Sequence, residues 1–154
     1  MLVDLERNDM GRVCKAGSVN VTELMCLEQY SHVSHIVSNI EGKLKSNITI
    51  YNLLKSLFPG GTITGCPKIR CMEIINELEP SERGAYSGSF GYIGFCRQLD
   101  LNILIRTIFL KNGEASFHVG AGIVADSDPD NEYEETLAKA AAMIEVLSDS
   151  TSIT

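Results

Sequence analysis

The sequence predicts an α+β fold built on antiparallel sheets. Three observations carry that expectation. Segments with strand character come in runs instead of alternating singly with helices, which disfavours a parallel βαβ arrangement. Three separate segments repeat apolar residues at helical spacing. Hydrophobic residues make up 44% of the 154, enough for one ordinary domain with its own core.

Met1-Leu-Val-Asp-Leu5 reads as a buried strand, and a chain that opens inside a strand points to a missing upstream part. Arg7-Asn8-Asp9 then turns into a glycine-containing loop ending near Ser18. Residues 19–28 and 33–44 read as strands, with Val33, Ile36, Val37 and Ile40 among their apolar members. Residues 48–58 have helical periodicity and stop at Pro59-Gly60-Gly61. Pro67 is placed to open a helix over Lys68–Leu78, where Ile69, Met72, Ile75 and Leu78 share a face. Residues 86–95, 100–110 and 114–124 are rich in β-branched and aromatic residues, and Lys111-Asn112-Gly113 suits a hairpin turn. A last helix spans about 130–147 with Leu137, Ala141, Ile144 and Leu147 inward. The expected order is β-β-β-α-α-β-β-β-α, one domain over residues 1–147 followed by a disordered tail, residues 148–154.

The formal net charge of −7 argues against broad nucleic-acid binding, which needs a basic face. It does not exclude a small anion, because a local basic group can outweigh the global sign. Cys14, Cys26, Cys66, Cys71 and Cys96 are odd in number, and no two have CxxC spacing. They read as free thiols in a reducing, cytoplasmic compartment. Asn20-Val-Thr22 and Asn47-Ile-Thr49 match the glycosylation sequon, and with no secretory signal in view they read as chance. No apolar run approaches the ~20 residues of a membrane helix.

The last helix carries the most informative group. Glu132, Glu135 and Lys139 lie at i, i+3 and i+7 and share one face. Two carboxylates one turn apart suit a hard divalent cation. An ordinary solvated face with a Glu135–Lys139 pair explains the same spacing. Glu134 is the control: it lies roughly 100° off this face and should be more exposed.

Gly120-Ala-Gly122-Ile-Val-Ala125 matches the dinucleotide fingerprint in form only, because no helix begins within its glycines. The glycines suit close ligand approach to the backbone, or a bulge. Asp126, Asp128 and Asp130 imitate a calcium loop but lack its glycine and its final glutamate. The Gly/Thr-rich segment Pro59–Lys68 suits anion capture at a helix N-terminus, and equally a plain interhelical turn. His35 follows His32 in an apolar strand. Arg106 interrupts an apolar run and needs a partner, either a ligand carboxylate or a buried acid. Tyr86 opens a strand and has a hydroxyl to offer the same ligand, with core packing as the ordinary alternative.

MLVDLERNDMGRV, YSHVSHIVS, FPGGTITGCPKIRCMEIINELEP, GAYSGSFGYIGF, LDLNILIRT and GAGIVADSDPDNEYEETLAKA follow in that order. Together they resemble the C-terminal half of the chorismate-binding enzymes. That family includes anthranilate synthase component I, aminodeoxychorismate synthase component I, isochorismate synthase and salicylate synthase. The likeness covers residues 1 to about 147.

The resemblance implies two antiparallel β-sheets packed face to face with helices outside. It implies Mg²⁺ held by Glu132 and Glu135. Lys139, Arg106, Tyr86 and the backbone at Gly120 and Gly122 would hold the carboxylates of chorismate. Thr62 would line the ring pocket, and His35 would stand near the ring carboxylate and C2. The RND and NELEP segments point to the enzymes that take ammonia from a glutamine amidotransferase. GYIGFC followed by LDLNILIRT points to the aminodeoxychorismate type, which aminates chorismate at C4 toward 4-aminobenzoate and folate. The anthranilate type, serving tryptophan, is the alternative. The family's Pro-Ile-x-Gly-Thr segment and further metal-site carboxylates lie upstream of the residue matching Met1. The resemblance thus implies a missing N-terminal half and a fragment incomplete for turnover. The competing class is a non-catalytic ligand-binding or subunit-interaction remnant; intact Glu132, Glu135, Arg106 and Lys139 speak against it.

Overall fold

The computed structural model describes residues 1–29 and 34–150. The fold is α+β, and every strand pairing in it is antiparallel. The chain divides into two compact units, Met1–Pro80 and Ser81–Thr154.

The first unit comprises α1 (Leu2–Val13), β1 (Asn20–Gln29), β2 (Ser34–Glu41), α2 (Ile50–Leu57), α3 (Gly61–Thr64) and α4 (Lys68–Leu78). The expected opening strand and the loop after it are one helix, α1. Its buried and half-buried residues are Val3, Leu5, Glu6, Asp9, Met10 and Val13. Two of them, Glu6 and Asp9, are carboxylates, which interrupts the apolar period. The inference from a chain opening inside a strand loses its premise. Asp9 is 3% exposed, and its Oδ2 accepts from Lys68 Nζ at 2.9 Å and from the Gly61 N–H at 3.0 Å. Lys68 also donates to the Ser56 carbonyl at 3.1 Å. One buried ion pair therefore ties α1 to the end of α2, to the one-turn α3 and to the start of α4. Val13 and Cys14, each 2% exposed, are the apolar centre of this unit.

β1 and β2 form a hairpin whose register shifts between Glu23 and Cys26, where Met25 takes a positive φ of 54°. α2 is capped by Thr49, whose hydroxyl accepts from the Asn52 N–H at 3.1 Å. α4 begins after Pro67 and spans the expected residues, but its apolar face is largely in solvent: Ile69, Met72 and Leu78 are all exposed.

The second unit comprises β3 (Ser89–Ile93), β4 (Leu99–Ile103), β5 (Phe109–Lys111), β6 (Glu114–Ser116) and α5 (Pro129–Ser150). β3 pairs with β4, and β5 with β6 through a two-residue turn at Asn112-Gly113, both at positive φ. The strand expected over residues 100–110 is two strands. Between them Arg106 takes φ 50°, in the left-handed region, which no ladder continues. The strand expected over residues 114–124 stops at Ser116, and the glycine segment lies beyond it. Tyr86 stands in the turn before β3, not at a strand start; Ser87, next to it, has φ 57°.

α5 is capped by Asp128, whose Oδ1 accepts from the Asn131 N–H at 3.1 Å, with Pro129 as first helical residue. Its buried residues are Ala140 and Met143, with Glu132, Thr136, Lys139 and Leu147 half-buried beside them. Of the four residues expected inward, Leu137, Ala141 and Ile144 are exposed and Leu147 alone faces in. The inward stripe is thus rotated toward the side that carries Glu132 and Lys139. Residues 151–154 of the expected tail lie outside the described residues.

Candidate functional site

In the second unit, α5 and the glycine segment before it meet through polar contacts. Lys139 Nζ donates to the Gly120 carbonyl at 3.1 Å and pairs with Glu135 Oε1 at 2.5 Å. Its side chain is one-third exposed, so the ammonium is held in place yet reachable. The helical pair offered as the ordinary explanation of the spacing therefore exists. It is joined to the glycine backbone rather than lying free on a solvated face.

Tyr86 closes the other side of Gly120. A Cβ added at Gly120 would stand 2.8 Å from the Tyr86 hydroxyl oxygen, closer than real side chains approach. The Tyr86 ring is held by His118, stacked at 5.5 Å and 19°, and by the Arg83 guanidinium at 5.7 Å. Gly122 differs: an added Cβ would meet nothing within 4 Å. Glycine there is not required by the protein's own packing.

Glu132 is half-buried, and its two oxygens have different fates. Oε1 accepts from Ser127 Oγ at 2.5 Å, and that same Oγ accepts from the Val124 N–H at 3.0 Å. Oε2 is buried and has no hydrogen-bond partner among the described residues. A carboxylate oxygen in that condition is costly unless something positive meets it. Glu134 is exposed as its position predicts, but so is Glu135, so the control separates Glu132 and Lys139 but not Glu135.

Arg106 is exposed and has no ion pair among the described residues, so the buried-acid alternative for it is not realised. The aspartates at 126, 128 and 130 gather no cation site: among the described residues no three His, Cys, Asp or Glu side chains are grouped to hold one. Asp128 serves as a helix cap instead.

In the first unit, His35 is half-buried on β2, opposite Glu28 in the hairpin register. His32 lies outside the described residues. Thr62 is on α3, and its hydroxyl donates to Glu6 Oε1 at 3.1 Å. The Gly/Thr segment does capture an anion at its helix N-terminus, and the anion is internal: the Asp9 carboxylate.

Ser127, His118 and Asp9 escaped the reading from sequence. Ser127 sits in the aspartate-rich stretch, where the pattern drew attention to the acids and not to the hydroxyl five residues before Glu132. His118 stands two residues before Gly120, a spacing with no mark of its own. Asp9 follows Arg7-Asn8 in a segment that suits a loop, where no burial is expected.

No helix among the described residues is long and apolar enough to cross a membrane. Residues 1–145 match the family described as chorismate binding enzyme. The chain is 60% identical over 147 residues to an anthranilate synthase component I-like protein of Synechocystis sp., covering 96% of this chain and 30% of that protein. It is 55% identical over 143 residues to aminodeoxychorismate synthase component 1 of Bacillus subtilis, covering 93% of this chain and 30% of that protein. The crystal structure of anthranilate synthase component I from Streptococcus pneumoniae superposes with a TM-score of 0.84 at 48% identity, covering 93% of this chain and 33% of that one. The chain thus spans about 30% of the length of the curated relatives it matches.

Proposed function

The chain belongs to the chorismate binding enzyme family, and from that premise we propose that it is the chorismate-binding region of an amidotransferase-linked synthase of the aminodeoxychorismate type. The whole enzyme would aminate chorismate at C4 with ammonia released by a glutamine amidotransferase. The observation that carries this reading is the Tyr86–Gly120–Lys139 arrangement. It places a hydroxyl and an ammonium about one backbone segment whose glycine excludes any side chain.

Chorismate is a dianion, and each group has a part in holding it. Lys139 offers a positive charge whose position is fixed by the Gly120 carbonyl and Glu135. Tyr86, its ring stacked on His118, offers an oriented hydroxyl donor. Gly122 leaves open space against the backbone for a carboxylate to approach. Arg106, exposed and without an ion pair among the described residues, has the fork of donors to take a carboxylate in bidentate fashion.

The unpartnered Glu132 Oε2 fits a hard cation, and Glu135 one turn on is a second oxygen donor. These two carboxylates fall short of a full octahedral set, so a bound Mg²⁺ would take further oxygens from substrate and water. When bound, it would supply Lewis-acid stabilisation of the ring carboxylate. His35 and Thr62 remain assigned by resemblance, to the ring carboxylate and the ring pocket. Titrating chorismate into the chain with and without Mg²⁺ tests the reading. We expect affinity to depend on Mg²⁺ and to fall on the order of tenfold or more in Glu135→Ala; unchanged binding in that variant removes the metal assignment.

The anthranilate type is the second reading, favoured by the 60% identity to an anthranilate synthase component I-like protein. The product formed by the full-length enzyme from chorismate and glutamine separates the two. Aminodeoxychorismate retains the enolpyruvyl group, whereas anthranilate is formed with loss of pyruvate.

A further inference from the structure

The two oxygens of Glu132 are made unequal by one residue outside the glutamates themselves. Ser127 lies in the turn between the glycine segment and α5 and is half-buried. Its hydroxyl donates to Glu132 Oε1 at 2.5 Å, the length of a strong hydrogen bond to a charged acceptor. The same oxygen accepts the Val124 N–H at 3.0 Å, which fixes the hydroxyl from its other side. Asp128, the cap of α5 and the residue after Ser127, accepts from the Asn131 N–H at 3.1 Å and sets the helix start at Pro129. Serine, glutamate and helix start therefore form one connected corner, and Glu132 Oε2 is buried there without a partner among the described residues.

We propose that Ser127 is a positioning residue for cation binding: it holds the Glu132 carboxylate in the orientation that leaves Oε2 free for a divalent ion. This inference rests on the proposed reading of Glu132 as a cation ligand and adds to it the group that aims it. Without the hydroxyl, the carboxylate would rotate toward whatever donor it found, including the Val124 N–H that Ser127 now occupies. The cation would then have to turn the side chain back. Groups that orient metal ligands from behind are commonly worth about 10–100-fold in affinity.

The test is a Mn²⁺ titration of the 154-residue chain, with free ion followed by electron paramagnetic resonance. It compares wild type, S127A, S127T and E132Q, with a thermal melt of each. We expect S127A to bind Mn²⁺ about tenfold or more weakly at a temperature where it is fully folded. S127T, which restores the hydroxyl, should return to within about threefold of wild type, and E132Q should lose the site. A serine that only stabilised the turn would lower the melting temperature of S127A and leave its Mn²⁺ affinity unchanged. That result, with E132Q still impaired, overturns the positioning role alone. Unchanged binding in E132Q, or no binding by wild type at millimolar Mn²⁺, overturns the cation reading of Glu132 and the role of Ser127 with it.

Discussion

At the scale of single residues, the two glycines separate a demand of the fold from a demand of the ligand. At Gly120 an added Cβ would displace the Tyr86 hydroxyl, whose ring is stacked on His118. Gly122 is surrounded by open space, so the fold has no stake in it. Gly120→Ala should therefore disturb both the melting temperature and chorismate binding. Gly122→Ala should leave stability within about 0.5 kcal/mol of wild type while weakening chorismate on the order of tenfold. Calorimetric melts beside chorismate titrations check both, and undiminished affinity in Gly122→Ala would remove that backbone from the binding surface. The candidate residues on α5 were legible because helical spacing alone places Glu132, Glu135 and Lys139 together. What spacing could not reveal is which donor meets which oxygen. The Ser127 and His118 contacts cross from a turn or loop to another element, and no one-dimensional period encodes them.

At the scale of elements, α1 is held less by apolar packing than by a carboxylate. Asp9 and Lys68 form an ion pair in which both side chains are at most 10% exposed, and Asp9 also receives the first N–H of α3. Breaking one partner strands the other charge in the interior. Lys68→Met should thus cost about 3–5 kcal/mol, and Asp9→Leu at least as much because the Gly61 N–H loses its acceptor too. The double variant should be milder than the two single losses added together; urea unfolding of all three forms checks this, and simple additivity would deny the pair its coupling. The same polar face explains what the sequence concealed. α2 and α4 announced themselves through leucine and isoleucine at helical spacing bounded by proline. α1 hid because Glu6 and Asp9 occupy positions where a reader of hydrophobicity expects leucine. In α5 the element was legible and its orientation was not: the stripe of Leu137 and Ile144 outweighs Ala140 and Met143 in apolar content, yet the smaller pair is inside.

At the scale of the whole molecule, the chain leaves far more surface uncovered than a monomer of its mass does, and large apolar side chains are part of it. Its accessible surface is 11810 Å². The usual scaling gives about 7,600 Å² for one folded monomer of this size, and about 9,200 Å² even for two wholly independent halves. Among the described residues only Val13, Cys14, Ala140 and Met143 are buried hydrophobics, whereas Leu24, Leu27 and Ile36 on the first hairpin, Phe90 and Tyr92 on β3, and Ile69 and Leu78 on α4 are all exposed. Surfaces of that kind are normally covered by other protein, and exposed hairpin edges add unpaired backbone groups to them. The chain made alone should therefore self-associate at micromolar concentration and bind a hydrophobic dye strongly, as sedimentation velocity and fluorescence would register. A monodisperse monomer with no dye binding would mean that these faces pack on one another in solution, contrary to the burial described above. If the prediction holds, chorismate affinity measured on the chain alone sets a lower bound for the site, since part of the population would be engaged in covering its own apolar faces.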